Sequence, residues 1–156
     1  MAPCPVLTVG PKVSETSPAD IQVGHVLYGI EFAPDTSHAA AYAVSLAEEF
    51  RAKLTFIKIL EQTVASPDLK AQIQEPVEHW MNDHVPPESA LRKRTSFELG
   101  FGRAAEGILK FASDRGVGLI VMSVRRMDPV IAAHLPATDT AYEVVCTAPC
   151  PVLTVR

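Results

Sequence analysis

The chain lacks the features that would commit it to polyanions, membranes, metals or nucleophilic catalysis. Lysine and arginine number 14 against 18 acidic residues, a formal net charge of -4, so no broad positive field is available to hold nucleic acid. The one dense basic run, Arg92-Lys93-Arg94, has the length of a solvated loop. No apolar stretch approaches the roughly 18 residues that span a bilayer, and no basic region followed by an apolar one opens the chain. Neither a nucleic-acid nor a membrane partner is expected, and the cytoplasm is the expected location.

Cysteine is scarce, and Cys4, Cys146 and Cys150 have no zinc-ligand spacing and no histidine pair to complete one. They read as small buried hydrophobes in a reducing compartment. His79 and Asp83, near Glu78 and His84, are four apart on a helix but have no third and fourth ligand arranged with them, so no metal is expected. No Gly-x-Ser-x-Gly elbow exists, and the serines, histidines and aspartates show no triad order. Gly100-Phe101-Gly102 is a turn before a helix, too short for a dinucleotide fingerprint. Trp80 is the sole indole, and beside Met81 on an amphipathic helix it reads as core or interface rather than a stacking platform.

What is present is a duplication. The octapeptide Ala-Pro-Cys-Pro-Val-Leu-Thr-Val runs from Ala2 to Val9 and again from Ala148 to Val155. Its apolar, β-branched end reads as a strand entered through a rigid proline lead. One domain rarely needs two copies of one strand, so the first copy, residues 1–9, reads as the last strand of a preceding homologous domain. Residues 10–24, with two prolines and scattered serine, threonine and acids, read as a linker. Residues 25–156 have the length and apolar content of one globular domain.

Within that domain, strand and helix patterns alternate. His25 to Phe32 is a mostly apolar run of strand length, and Ala33-Pro34-Asp35-Thr36-Ser37 supplies turn and cap chemistry. Ala40, Ala43, Val44, Ala47 and Phe50 then recur at helical spacing, with Glu48, Glu49 and Arg51 on the wet face. Leu54 to Leu60 is the next strand. Ser66-Pro67-Asp68 starts a second helix, in which Pro76 predicts a kink or restart before an end near His84. Thr95 to Leu99 is a third strand. Arg103 to Arg115 is a third helix, with Ala104, Ile108, Leu109 and Ala112 inward and Gly116 as its cap. Gly118 to Met122 is continuously apolar, as a strand buried on both faces must be. A helix from about Asp139 to Cys146 leads into the repeated strand. The alternation predicts an α/β, doubly wound parallel sheet. Ligands of such sheets sit at the carboxyl ends of the strands, here Ile30 to Ala33, Ile59 to Glu61 and Met122 to Arg126.

Several segments together resemble the universal stress protein family: Val-Leu-Tyr-Gly-Ile-Glu-Phe-Ala-Pro, Gly-Arg-Ala-Ala-Glu-Gly-Ile-Leu, Leu-Ile-Val-Met, and Ala-Tyr-Glu-Val-Val-Cys-Thr-Ala-Pro-Cys-Pro-Val-Leu-Thr-Val. The resemblance implies a five-stranded parallel sheet of order 3-2-1-4-5, here with an extra N-terminal edge strand. It also implies dimerisation through the last strand, and tandem domains.

Members that bind ATP carry Gly-x-x-Gly after Leu-Ile-Val-Met, then nine residues, then Gly and Ser or Thr. The glycines let backbone N–H groups approach phosphate, and the hydroxyl adds a donor at a helix N-terminus. Here Ser123 and Arg126 stand at the first pair, and Thr138 and Asp139 at the second after eleven residues. An aspartate at a phosphate position adds like-charge repulsion of about 1 kcal/mol for partly exposed charges. Glu31 stands where such members carry Asp.

The site is therefore expected to be degenerate, built from Glu31, Ile59, Ser123, Arg125, Arg126, Thr138, Asp139 and Thr140, with no cofactor and no catalysis. The expected work is stress response through a homodimer or tandem partner. The alternative is an ATP- or AMP-dependent switch or slow ATPase using Arg125, Arg126, Thr138 and Thr140; a third reading is redox sensing by Cys146 and Cys150. An edge strand exposes unpaired backbone. Val6, Leu7 and Val9 are accordingly expected to add antiparallel to Val152, Leu153 and Val155.

Overall fold

The computed structural model describes residues 4–13, 22–30, 37–61, 67–124 and 140–156. The apolar, β-rich runs become strands β1 (Val6–Thr8), β2 (His25–Gly29), β3 (Lys53–Leu60), β4 (Thr95–Phe101), β5 (Leu119–Ser123) and β6 (Val152–Val155). The amphipathic segments become helices α1 (Ser37–Glu49), α2 (Pro67–His84), α3 (Ala104–Arg115) and α4 (Thr140–Thr147). One six-stranded sheet runs in the order β1-β6-β5-β2-β3-β4. Every neighbouring pair is parallel except β1 with β6, which is antiparallel. Counted from β2, the parallel strands follow the order 3-2-1-4-5 that the resemblance implied.

Helices cover both faces, which is why β2 and β5 are apolar on consecutive residues. On one face Val26, Tyr28 and Phe56 pack against the alanines of α1 and against Val77 and Met81 of α2. On the other, Leu27, Ile120 and Val152 pack against Ala105, Ile108 and Ala112 of α3 and Val144 of α4. Tyr28 and Phe56 are fully buried, and Trp80 stacks on Tyr28 and meets Phe56 edge-on at 4.9 Å. Trp80 is thus a core contact. Burying each such ring contributes about 1.5–3 kcal/mol.

Several boundaries depart from the sequence reading. β4 continues through Gly100 and Phe101, so the turn is confined to Gly102 at φ 110°. α2 runs unbroken through Pro76. Pro76 and Gln72, one turn before it, are both exposed, so the Gln72 carbonyl that loses its partner is open to hydration. On α3 the fully buried residues are Ala105, Ile108 and Ala112, while Ala104 and Leu109 are half-buried; Gly116 caps the helix at φ 61° as expected.

Phe50, expected inward, lies just past α1 and is 50% exposed. The start of the linker is not free: Val13 is buried and its N–H bonds the Gly10 carbonyl at 3.0 Å. The basic run forms a 3-10 helix, Ala90–Arg94, whose arginines close chain ends: Arg92 donates to the Val85 carbonyl and Arg94 to the Ala52 carbonyl. Of the cysteines only Cys150 is buried; Cys4 and Cys146 are exposed.

Candidate functional site

The chain order reverses at β2, whose neighbours are β3 on one side and β5 on the other. Loops leaving adjacent strands on opposite faces open a crevice at such a point. A cavity of 210 Å³ lies there, lined by Gly29 and Ile30 after β2, Lys58, Ile59 and Glu61 at the end of β3, Met122 and Ser123 at the end of β5, and Thr140 at the start of α4.

Ile59 forms one wall by filling a slot between two glycines. A Cβ on Gly100 of β4 would stand 2.5 Å from Ile59 Cδ1, and one on Gly107 of α3 would stand 2.6 Å from it. Both distances are far below contact, so the absence of side chains at these positions lets β4 and α3 close over the isoleucine.

The polar groups are few. Ser123 Oγ is buried and is the one such side-chain nitrogen or oxygen without a hydrogen-bond partner among the described residues. Arg103, at the N-cap of α3, donates to Glu106 at 2.6 Å and to Glu143 of α4 at 2.8 Å. The Glu106 hydrogen bond and the nearby Glu143 charge hold its guanidinium above its ordinary pKa. That fork ties α3 to α4 and occupies the cation at the entrance of α3.

Of the residues expected in the site, Ile59, Ser123 and Thr140 come together around the cavity. Glu31, Arg125, Arg126, Thr138 and Asp139 lie outside the described residues. Glu61 falls within the strand end, Ile59 to Glu61, at which a ligand was expected, although it was not named as a site residue; sequence reasoning missed Lys58. The signal was available for Lys58, the only charge between Leu54 and Leu60. No group of three or more metal-ligating side chains converges among the described residues. Nor is any described helix long and apolar enough to cross a membrane.

The second candidate surface is the outer edge of the sheet. β1 pairs with β6 through Val6↔Thr154, Leu7↔Leu153 and Thr8↔Val152, and the Thr154 hydroxyl donates to the Val6 carbonyl at 3.3 Å. Val152 and Val155 are buried, whereas Val6, Leu7 and Val9 are exposed.

Sheet order, double helical cover and a switch-point crevice define a doubly wound α/β domain. The family model for the universal stress protein family matches residues 22–156, and the chain belongs to that family. Solved structures agree on the fold. UspA from Lactobacillus plantarum is 20% identical, with a TM-score of 0.67 over 86% of this chain and 99% of its own. A putative universal stress protein from Pseudomonas aeruginosa UCBPP-PA14 is also 20% identical, with a TM-score of 0.67 over 99% of this chain and 52% of its own. A universal stress protein from Archaeoglobus fulgidus in complex with dAMP is 15% identical, with a TM-score of 0.57 over 87% of this chain and 99% of its own. No curated protein matches the sequence.

Proposed function

We propose that this universal stress protein domain works by docking a partner of the same fold on its β6 edge, and that it does so without nucleotide chemistry. One observation carries the reading: β6 pairs with a copy of its own sequence, with Leu7 opposite Leu153. An edge that accepts its own sequence in antiparallel register is built to accept a second domain of its kind. The duplicated octapeptide also supports a tandem origin, with Ala2–Val9 closing a preceding homologous domain. The Pseudomonas aeruginosa match supports that origin as well, since it covers 99% of this chain and so extends past the family match into the first octapeptide. The lost glycines around Ser123, Arg126 and Thr138 argue against phosphate cradling, and so does Asp139.

A second reading has its own observation. Ser123 Oγ is an unpartnered buried oxygen in a crevice that also holds Lys58 and Thr140, and the Archaeoglobus fulgidus relative was solved with dAMP. In that reading an AMP-type nucleotide binds, using Arg125, Arg126, Thr138 and Thr140 in place of the missing glycine loop.

Titration calorimetry with ATP and AMP separates the two. Degeneracy predicts no saturable heat below about 1 mM ligand. Micromolar binding, abolished by Ser123→Ala and Lys58→Ala, would establish the second reading instead.

A further inference from the structure

The end of the sheet opposite the crevice carries a group of cations. The first pair of the β2–β3 ladder is His25↔Lys53, and Lys53 and Arg94 stand just before the first pair of the β3–β4 ladder, Leu54↔Thr95. His25, Lys53 and Arg94 therefore form a row across the starts of β2, β3 and β4. Arg115, at the end of α3, completes the group: its guanidinium carbon lies 5.7 Å over the Phe111 ring, and that ring meets the His25 imidazole edge-on at 6.1 Å. Lys53 and Lys58 are about 16 Å apart along β3, so this group is separate from the crevice.

The charges are held in place without being cancelled. Arg94 donates its Nε–H to the Ala52 carbonyl at 3.3 Å, and Arg115 rests on an aromatic face. Lys53, Arg94 and Arg115 are all exposed, and none of them pairs with an acid among the described residues, whereas Arg103 and Lys110 do. The acids of the same elements are Glu98, two residues beyond Ser96 on β4, and Asp114, which Lys110 holds at 2.6 Å. Glu48 and Glu49 end α1, which packs on the other face of the sheet.

His25 senses the group. Its Nε2 lies 2.8 Å from Thr55 Oγ1, which fixes the ring. Burial is the main cause that lowers its pKa, and the Lys53 and Arg115 charges add to it against a hydrogen bond to the Arg115 backbone. An imidazole that feels both cations also feels an anion that neutralises them.

We infer that Lys53, Arg94 and Arg115 form a binding site for a compact dianion, the phosphate group, either free or at the end of a small phosphorylated molecule. Guanidinium groups present N–H forks to oxyanions, and the ammonium adds a point charge. Cations gathered in one place favour a dianion over chloride. The chain's net charge of -4 supplies no field beyond them to hold a long polyanion.

The test follows backbone amides and the His25 ring by NMR on the full chain. Sodium sulfate serves as a dianion of fixed charge, and sodium chloride of equal ionic strength as the control. The expected result is a saturating shift at Lys53, Arg94 and Arg115 in sulfate alone, with a Kd of about 1–10 mM. His25 should also titrate at a higher pH in sulfate than in chloride. Lys53→Gln with Arg94→Gln is expected to weaken sulfate binding about tenfold or more, while Lys12→Gln, which removes an exposed cation elsewhere, leaves it unchanged. Circular dichroism checks the fold of each variant, and Lys53→Gln alone gives the same direction should the double variant unfold. Inorganic phosphate and glycerol phosphate then separate the two sources. Equal affinity assigns the phosphate group itself, and a tenfold preference for the ester assigns a phosphorylated small molecule; either supports the site. Shifts that chloride reproduces, or sulfate binding that survives the double substitution, overturn it. Tighter binding of a single-stranded oligonucleotide than of either phosphate also overturns the assignment to a compact anion.

Discussion

Ile59 Cδ1 lies 2.6 Å from the place where a Cβ on Gly107 would stand, and its Cγ1 lies 3.0 Å away. Gly→Ala inside a helix normally stabilises by about 1 kcal/mol. Here the added methyl meets an isoleucine already hemmed in by Gly100. Gly107→Ala is expected to gain nothing and to lose about 1 kcal/mol. Ile59→Val, which removes Cδ1, should cost less in the Gly107→Ala background than in the parent. Urea unfolding of the four chains measures that coupling; purely additive effects would remove the slot from the description of the cavity wall.

The three thiols should separate by burial. Burial pushes the Cys150 thiol up to about 12, while Cys4 and Cys146 are exposed. At pH 7 such a thiol holds about one part in 10⁵ as thiolate. Two thiols per chain should react quickly with an aromatic disulfide reagent in the folded protein, and the third only on unfolding. The Cys146–Cys150 redox pair considered from sequence needs both to react, so three fast thiols would reopen it.

Stability should fall in mild acid through one imidazole. His25 Nε2 lies 2.8 Å from Thr55 Oγ1, which lies 3.0 Å from Ser96 Oγ, so a short polar chain crosses the starts of β2, β3 and β4. Burial is the main cause that lowers the His25 pKa below its ordinary 6.5, and the charges of Lys53 and Arg115 add to it against a backbone hydrogen bond. A depressed folded pKa means that the unfolded chain binds the proton first. The contribution is therefore complete above about pH 6.5 and is lost progressively as pH falls toward and through the lower folded value. Urea midpoints from pH 8 down to 5 should decline, and His25→Gln should flatten the decline below about pH 6.5. An unchanged slope in the variant would assign the loss to other groups.

The alternation of apolar runs and caps made the parallel sheet legible, down to Gly116 in the left-handed region. The duplicated octapeptide foretold the antiparallel pairing of β1 with β6. What local sequence could not carry was burial. Cys4 and Cys150 occupy identical octapeptides, yet one is exposed and the other buried, because only one copy has helices above and below it. Phe50 was misplaced for a related reason. α1 carries two apolar stripes, and spacing alone does not say which of them meets the sheet. Lys58 escaped notice because strand periodicity assigns a face but not a distance from the crevice. Glycine contributed less to the turn before α3 than the sequence suggested, since Gly100 serves β4 by making room for Ile59.

Amide hydrogen exchange at Val152 to Val155, compared between the parent chain and the Leu7→Pro, Thr8→Pro chain, tests most directly whether β6 is a docking edge held by its own copy. The expected result is protection in the parent and faster exchange on the outward-facing amides of β6 in the double-proline chain, with β2 and β3 unchanged in both. Equal exchange of β6 in the two chains would contradict it.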